Sequence, residues 1–141
     1  MDFFQYLLDT NVISELVRWP RGSLRQKIEE VGEEKVCTNV IVACELRYGA
    51  LKKGSKRLQS NIELILSAIP ILPLDPMVSE TYAKIRNHLE KEGTPIGPND
   101  MLIAAHALAY KMVLVTRNLR EFSRVPGLLV EDWLGVDPKK E

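Results

Sequence analysis

The sequence predicts an α/β domain with a mainly parallel central sheet flanked by helices, on three observations. Short apolar runs alternate along the chain with longer segments whose apolar residues recur at helical spacing. Polar residues follow two of the apolar runs, Asp9 after the first and Asn118 after the one that closes at Thr116, and ligands of parallel sheets gather at the carboxyl ends of strands. The chain has 141 residues and shows no internal repeat, low-complexity tract or linker, so one domain is expected, burying roughly two-thirds of the surface its unfolded form exposes.

Phe3 to Leu8 is an apolar and aromatic run that predicts a strand, ended by Asp9 just before a helix from Thr10 to Val17. Trp19-Pro20-Arg21-Gly22 breaks the chain, and Ser23 is the expected cap of a second helix to about Val31, with Leu24, Lys27, Ile28 and Val31 at helical spacing. Lys35 to Thr38 predicts a second strand. From Asn39 to Lys53 apolar residues recur at Val40, Ile41, Ala43, Cys44, Tyr48 and Leu51, a helix that places Glu45 on the face of Ile41 and Tyr48. A basic turn, Lys52-Lys53-Gly54-Ser55-Lys56-Arg57, leads to a helix with the stripe Leu58, Ile62, Ile65, Leu66 and Ile69, closed by Pro70. Ile71 to Leu74 is a third strand, at a sheet edge or a strand start because proline cannot donate to the ladder. Val78, Tyr82, Ile85 and Leu89 mark a long amphipathic helix, and Gly93 to Pro98 a loop. A helix starting at Asn99 or Asp100 is apolar nearly all round through Tyr110, so it should be covered on both sides. Val113 to Thr116 and Leu128 to Val130 complete the strands.

Composition narrows the function classes. Hydrophobic content of 45% with 27% charged residues describes an ordinary soluble globule. Nineteen acidic residues balance nineteen basic ones, so a nucleic-acid partner must be held by a local basic patch or by metal ions rather than by a global field. Cys37 and Cys44 sit in apolar stretches without metal-type spacing, which predicts reduced, buried thiols in a cytoplasmic protein. The N-terminus Met1-Asp2-Phe3-Phe4 lacks the pattern of a signal peptide. The longest mainly apolar segment, Met101 to Tyr110, is far short of the ~20 residues of a membrane span, so no membrane partner is expected.

Three carboxylates stand in apolar sequence: Asp9 in Leu7-Leu8-Asp9-Thr10-Asn11, Glu45 in Ala43-Cys44-Glu45-Leu46 and Asp100 in Asn99-Asp100-Met101-Leu102-Ile103. An ionised carboxylate taken out of water costs several kcal/mol, and no basic residue lies within three positions of Asp9 or Asp100. Each acid also admits a structural reading: Asp9 and Asp100 as helix N-caps, with Asn99 competing for the second, and Glu45 as the partner of Arg47, Lys52 or a distant base. Taken jointly, they favour a bound divalent cation, because two charges ~4 Å apart repel by ~4 kcal/mol at an effective dielectric of ~20. Mg²⁺ and Mn²⁺ prefer such oxygen ligands, completed by water and substrate phosphate, and would orient and acidify an attacking water.

Four segments resemble a known family. Leu-Asp-Thr-Asn at 8 to 11, Ala-Cys-Glu-Leu-Arg-Tyr-Gly at 43 to 49, Ile-Gly-Pro-Asn-Asp-Met-Leu-Ile-Ala-Ala at 96 to 105 and Val-Thr-Arg-Asn-Leu-Arg-Glu-Phe at 115 to 122 resemble, in order and spacing, the PIN-domain ribonuclease toxins of the VapC group. The resemblance implies a single PIN domain over 1–141, with its core at about 6–133 and a short C-terminal tail. It implies endonucleolytic cleavage of RNA dependent on Mg²⁺ or Mn²⁺, inhibition by a VapB-type antitoxin, and a homodimer within a toxin-antitoxin hetero-oligomer. Asp9, Glu45 and Asp100 become the metal-holding acidic triad. Many PIN domains carry Asp where this chain has Asn118, which offers a carbonyl oxygen without charge; Glu121 stands three residues on and can supply the missing carboxylate. One tightly held ion, with a second arriving with substrate, is the expectation.

Thr10 and Asn11 adjoin the presumed site as possible substrate contacts or as caps. Arg117, with Arg120 and Arg124, forms a basic cluster suited to RNA phosphates or to plain solvation, and Lys52, Lys53, Lys56 and Arg57 form another. His88 and His106 are expected at the surface or in packing rather than as ligands. Trp19 is a candidate antitoxin contact or a packing residue. Two other functions compete. A phosphatase of the haloacid-dehalogenase type wants Asp-x-Asp after the first strand, and here Asn11 stands in the second place. A non-catalytic module would use the acidic pocket only to accept an arginine from a partner peptide.

Overall fold

Strand β1 (Tyr6–Leu8) occupies the middle of a five-stranded sheet because its two leucines face helices on both sides: Leu7 and Leu8 are fully buried. The structure, a computed structural model, describes residues 4–134. β1 is followed by helix α1 (Thr10–Arg18) and helix α2 (Ser23–Val31), then by β2 (Val36–Asn39), α3 (Val40–Lys53), α4 (Lys56–Ala68) and β3 (Ile71–Leu72). Helices α5 (Pro76–Lys91) and α6 (Pro98–Ala109), strand β4 (Val113–Val115), the short helix α7 (Leu119–Phe122) and β5 (Val130–Glu131) complete the order.

The sheet runs β3-β2-β1-β4-β5 with every adjacent pair parallel, as the alternation of strands and helices predicts. Leu7 pairs with Cys37 on one side and Leu114 on the other. The chain builds one half of the sheet outward from β1 to β3, then returns through α5 and α6 to lay β4 against the other flank of β1. That reversal puts the crevice between the carboxyl ends of β1 and β4, where the amide of Asp9 extends the ladder to the carbonyl of Val115 at 3.1 Å. α5 packs along α6 and α3 along α4. α6 is covered on both sides as its composition predicts, with Ile103, Ala104, Ala105 and Ala107 wholly buried.

Several local expectations are corrected. Ser23 does not cap α2: the N-cap is Gly22, and no side chain bonds there. Gly97 is the N-cap of α6 and Pro98 its first residue, which removes Asn99 and Asp100 from the capping role. Proline pre-sets the backbone angle of a first turn and has no amide to leave unpaired. Cys37 is buried but Cys44 is exposed, because α3 turns it away from the face that carries Val42, Ala43 and Leu46. Tyr48, which shares the helix face of Glu45 and Ile41, is 64% exposed. The strands shift by a residue or two: β2 reaches Asn39, β4 stops at Val115, and the last strand is Val130–Glu131, with Leu129 exposed. Phe3, assigned to the first strand, lies outside the described residues. A 3-10 turn at Glu33–Lys35 and helix α7 were not foreseen, since each is too short to show a period.

Candidate metal and catalytic site

Asp9 leaves β1 and caps α1 at once, its carboxylate accepting the Val12 amide at 3.0 Å. The capping reading of Asp9 therefore holds, and this cap stands at the carboxyl end of a strand. Asp9 is 5% exposed, and the hydroxyl of Thr116, at the end of β4, donates to it. Burial dominates its electrostatics and raises its pKa; the Thr116 and Val12 bonds oppose that, and the charge of Glu45 adds to it.

Glu45 projects from the second turn of α3. The Thr10 hydroxyl donates to Oε1 and the Asn99 amide donates to Oε2 at 3.3 Å. One of its candidate structural partners is engaged elsewhere: Arg47 forms a two-pronged pair with Glu63 at 2.9 and 3.0 Å. Asp100 stands in the first turn of α6, and its pKa is pushed up to about 7, first by burial, then by a hydrogen bond shared with Glu121 and by the charges of Glu121, Glu45 and Asp9. Glu121 is fixed by Asn118, which caps α7 through its carbonyl and donates its amide to Glu121 Oε2 at 2.9 Å. The other oxygen, Glu121 Oε1, is buried and has no hydrogen-bond donor among the described residues.

Asp9, Glu45, Asp100 and Glu121 thus share one field, and among the described residues no lysine or arginine forms an ion pair with any of them. Among the described residues no group of three His, Cys, Asp or Glu side chains forms a ready-made metal site. An oxygen-only donor set with an orphaned carboxylate oxygen fits a hard divalent cation that keeps part of its water shell, as Mg²⁺ does. Thr10 is spent on Glu45, whereas the side chain of Asn11 is exposed beside Asp9. Arg117, next to Thr116, is exposed near the rim, but Arg124 is tied to the carbonyl of Pro95 at 3.1 Å and leaves the basic cluster.

The PIN-domain family model matches residues 6–128. Ribonuclease VapC2 of Rickettsia felis is 35% identical over 130 residues, covering 91% of this chain and 97% of that protein. The chain belongs to the VapC group of the PIN-domain family. The tRNA(fMet)-specific endonuclease VapC of Salmonella typhimurium is likewise 35% identical, over 92% of this chain and 98% of that one. Among solved structures, VapBC2 of Rickettsia felis bound to a DNA fragment from its promoter superimposes with a TM-score of 0.85 at 34% identity, covering 94% of this chain and 99% of its match.

In this PIN domain the strand ends carry most of the buried polar residues among those described. Asp9, Thr38, Asn39, Thr116 and His106 are all at most 5% exposed, and the first four end strands β1, β2 and β4 or follow them directly. Thr38 donates to the carbonyl of Leu8 at 2.8 Å, and Thr116 accepts the Asn118 amide at 2.9 Å. The roles of Thr38, Asn39, Thr116 and Asn99 escaped the sequence reading. The available signal was a polar residue closing each apolar run, which applies to Thr38-Asn39 and Thr116 as it does to Asp9. His106 packs as expected, but it also bonds Asn39 through Nδ1 at 3.1 Å. Because Asn39 Oδ1 accepts the Val42 amide at 3.0 Å, its Nδ2 must be the donor, so His106 is neutral with its proton on Nε2. This bond ties the start of α3, which carries Glu45, to α6, which carries Asp100. His88 is exposed, as expected.

Burial lowers the pKa of His106, and Asp75 only partly offsets it. The unfolded chain therefore binds a proton first as pH falls below the ordinary value of 6.5, and folding stability is lost from there downward. Denaturant titrations between pH 8 and 5 should show this loss. The variant His106→Gln, whose carbonyl can still accept from Asn39, should lack that component; an unchanged slope would refute the assignment.

Proposed function

We propose that this chain is a metal-dependent endoribonuclease, the toxin of a toxin-antitoxin pair, acting on RNA in the cytoplasm and held in check by a VapB-type antitoxin within a hetero-oligomer built on a toxin homodimer. The observation that carries the reading is the convergence of four carboxylates from β1, α3, α6 and α7 on one crevice, with an unsatisfied oxygen and no base paired to them among the described residues. Membership of the VapC group supports it, as does the naming of relatives as ribonucleases. Among the described residues no helix is long and apolar enough to cross a membrane.

Asp9, Glu45 and Asp100 are the residues that would hold Mg²⁺ or Mn²⁺, with Glu121 and Asn118 closing the far side. When bound, such an ion supplies an acidified water and neutralises charge on the phosphoryl and leaving oxygens. Thr116, Thr10, Asn99 and Asn118 keep the four acids in place before the ion arrives. Arg117 and the exposed amide of Asn11 would contact substrate phosphates at the rim.

The test is cleavage of total cellular RNA, with initiator tRNA added separately because the Salmonella relative carries that specificity in its name. Discrete fragments with Mg²⁺ or Mn²⁺ that vanish with EDTA are expected. Folded protein that cuts neither sample with either metal would overturn the nuclease reading in favour of a pocket that only binds a peptide.

A further inference from the structure

One groove adjoins the site described above, and the cations at its far end take no part in that site. A groove of about 650 Å³ runs between α1, α3 and α4 and begins at the site itself, lined by Thr10 and Glu45. α1 then contributes Ser14 and Arg18, and α3 contributes Gly49 and Lys53, each on successive turns of the same face. From Thr10 to Arg18 and from Glu45 to Lys53 the two helices advance together by about 12 Å. Arg57, from the first turn of α4, faces Lys53 across the turn made by Gly54, whose φ of +67° ends α3 in the left-handed region and folds α4 back along it.

The basic run 52–57 is thereby divided. Lys53 and Arg57 line the groove, whereas Lys52 and Lys56 do not. Four other cations are held in ion pairs, Arg25 with Glu29, Lys27 with Glu30, Arg47 with Glu63 and Arg86 with Glu90. Lys53 and Arg57 form no ion pair among the described residues, and Arg18 rests 5.8 Å over the ring of Trp19. One end of the groove needs a cation and the other needs anions. A phosphodiester strand bound through a divalent ion at the acids, and running along the groove, satisfies both.

We propose that this groove carries the RNA strand on one side of the scissile phosphate, with Lys53 and Arg57, assisted by Arg18, holding the phosphates beyond it. The proposal rests on the nuclease reading and adds a direction to it: substrate leaves the site along α1 and α3, and these cations set affinity rather than chemistry.

The test is binding of a fluorescein-labelled single-stranded RNA of mixed sequence, with Mg²⁺, in the cleavage-defective Asp100→Asn background. The pair Lys53→Ala with Arg57→Ala should weaken binding about tenfold near 0.1 M salt and lower the slope of log affinity against log salt by about 1.4, at roughly 0.7 per lost phosphate contact. Lys52→Ala with Lys56→Ala removes the same charge outside the groove and should change affinity less than about twofold. Melting curves matching the parent establish that both pairs fold. Equal losses in the two pairs, or none in either, would overturn the groove path while leaving nuclease activity of the unmodified protein intact. Loss of antitoxin binding with RNA binding unchanged would assign the groove to the protein partner and likewise overturn it. Failure of the unmodified protein to bind or cut RNA would instead remove the nuclease reading underneath.

Discussion

Replacing Asp100 by Asn should reduce RNA cleavage about a thousandfold or more while the metal-free protein remains folded and gains stability above pH 7. Asp100 is the acid most burdened by its neighbours, with Glu121, Glu45 and Asp9 all raising its pKa, to about 7. The amide keeps its shape but contributes no charge to a bound cation. Metal stabilisation of charge in the transition state is worth several kcal/mol, and ~4 kcal/mol corresponds to about a thousandfold in rate. The stability gain follows from the sign of the shift. In the folded chain this carboxyl holds its proton up to about pH 7, while in the unfolded chain it loses it near the ordinary value of 3.8. The folded state therefore binds more protons between those limits, and metal-free stability falls as pH rises through that window. Above it the penalty is fully present, and Asp100→Asn removes it. Melting temperatures at pH 8 in EDTA, beside single-turnover cleavage with Mg²⁺, measure both effects; a variant that cuts normally would sink the assignment of Asp100 to the metal.

Saturating Mn²⁺ or Mg²⁺ should raise the melting temperature by about 10 °C at pH 8 and much less at pH 5.5. An ion that binds only the folded chain at ~100 times its dissociation constant contributes ~2.7 kcal/mol, and each kcal/mol moves the midpoint of a domain of this size by about 4 °C. The pH contrast arises because protons and metal compete: below about 7, Asp100 is protonated and shares that proton with Glu121, so the ion must displace it. Glu121→Gln should keep less than half of the metal-induced shift, since it removes the carboxylate whose Oε1 is buried without a donor. A melting temperature indifferent to both metals at pH 8 would show that the acids do not form a cation site, whatever their role in catalysis.

Much of this architecture is legible in the chain because it is written in local periodicity. The apolar alternation that separates β1 from α1 and β2 from α3 needs only neighbours to be read, and of the two places the neighbouring prolines left open for β3, a sheet edge or a strand start, the fold gives it the edge. Asp9, Glu45 and Asp100 are conspicuous for the same reason: each sits among residues that must be buried, and the cost of burying charge is a local argument. Asn118 and Glu121 are visible only beside the family's motif, and the helix that joins them spans four residues, too few for any period to announce. Asn39 and Thr116 are ordinary polar residues in sequence. They become parts of the site only because parallel strands β1, β2 and β4 end at one level and place them next to Asp9.

The chain by itself determined the fold class, the order of its elements and which acids are too costly to leave unpaired, since hydrophobic patterning and desolvation act on each segment separately. Only the tertiary structure decided that Glu121 faces Asp100, that Arg47 is spent on Glu63 and is lost to Glu45, that Cys44 points outward, and that Lys53 and Arg57 look along a groove while Lys52 and Lys56 do not. Those facts depend on how helices from distant parts of the chain pack around the end of one sheet, and electrostatic energies between side chains follow distance in space, to which separation along the sequence is no guide.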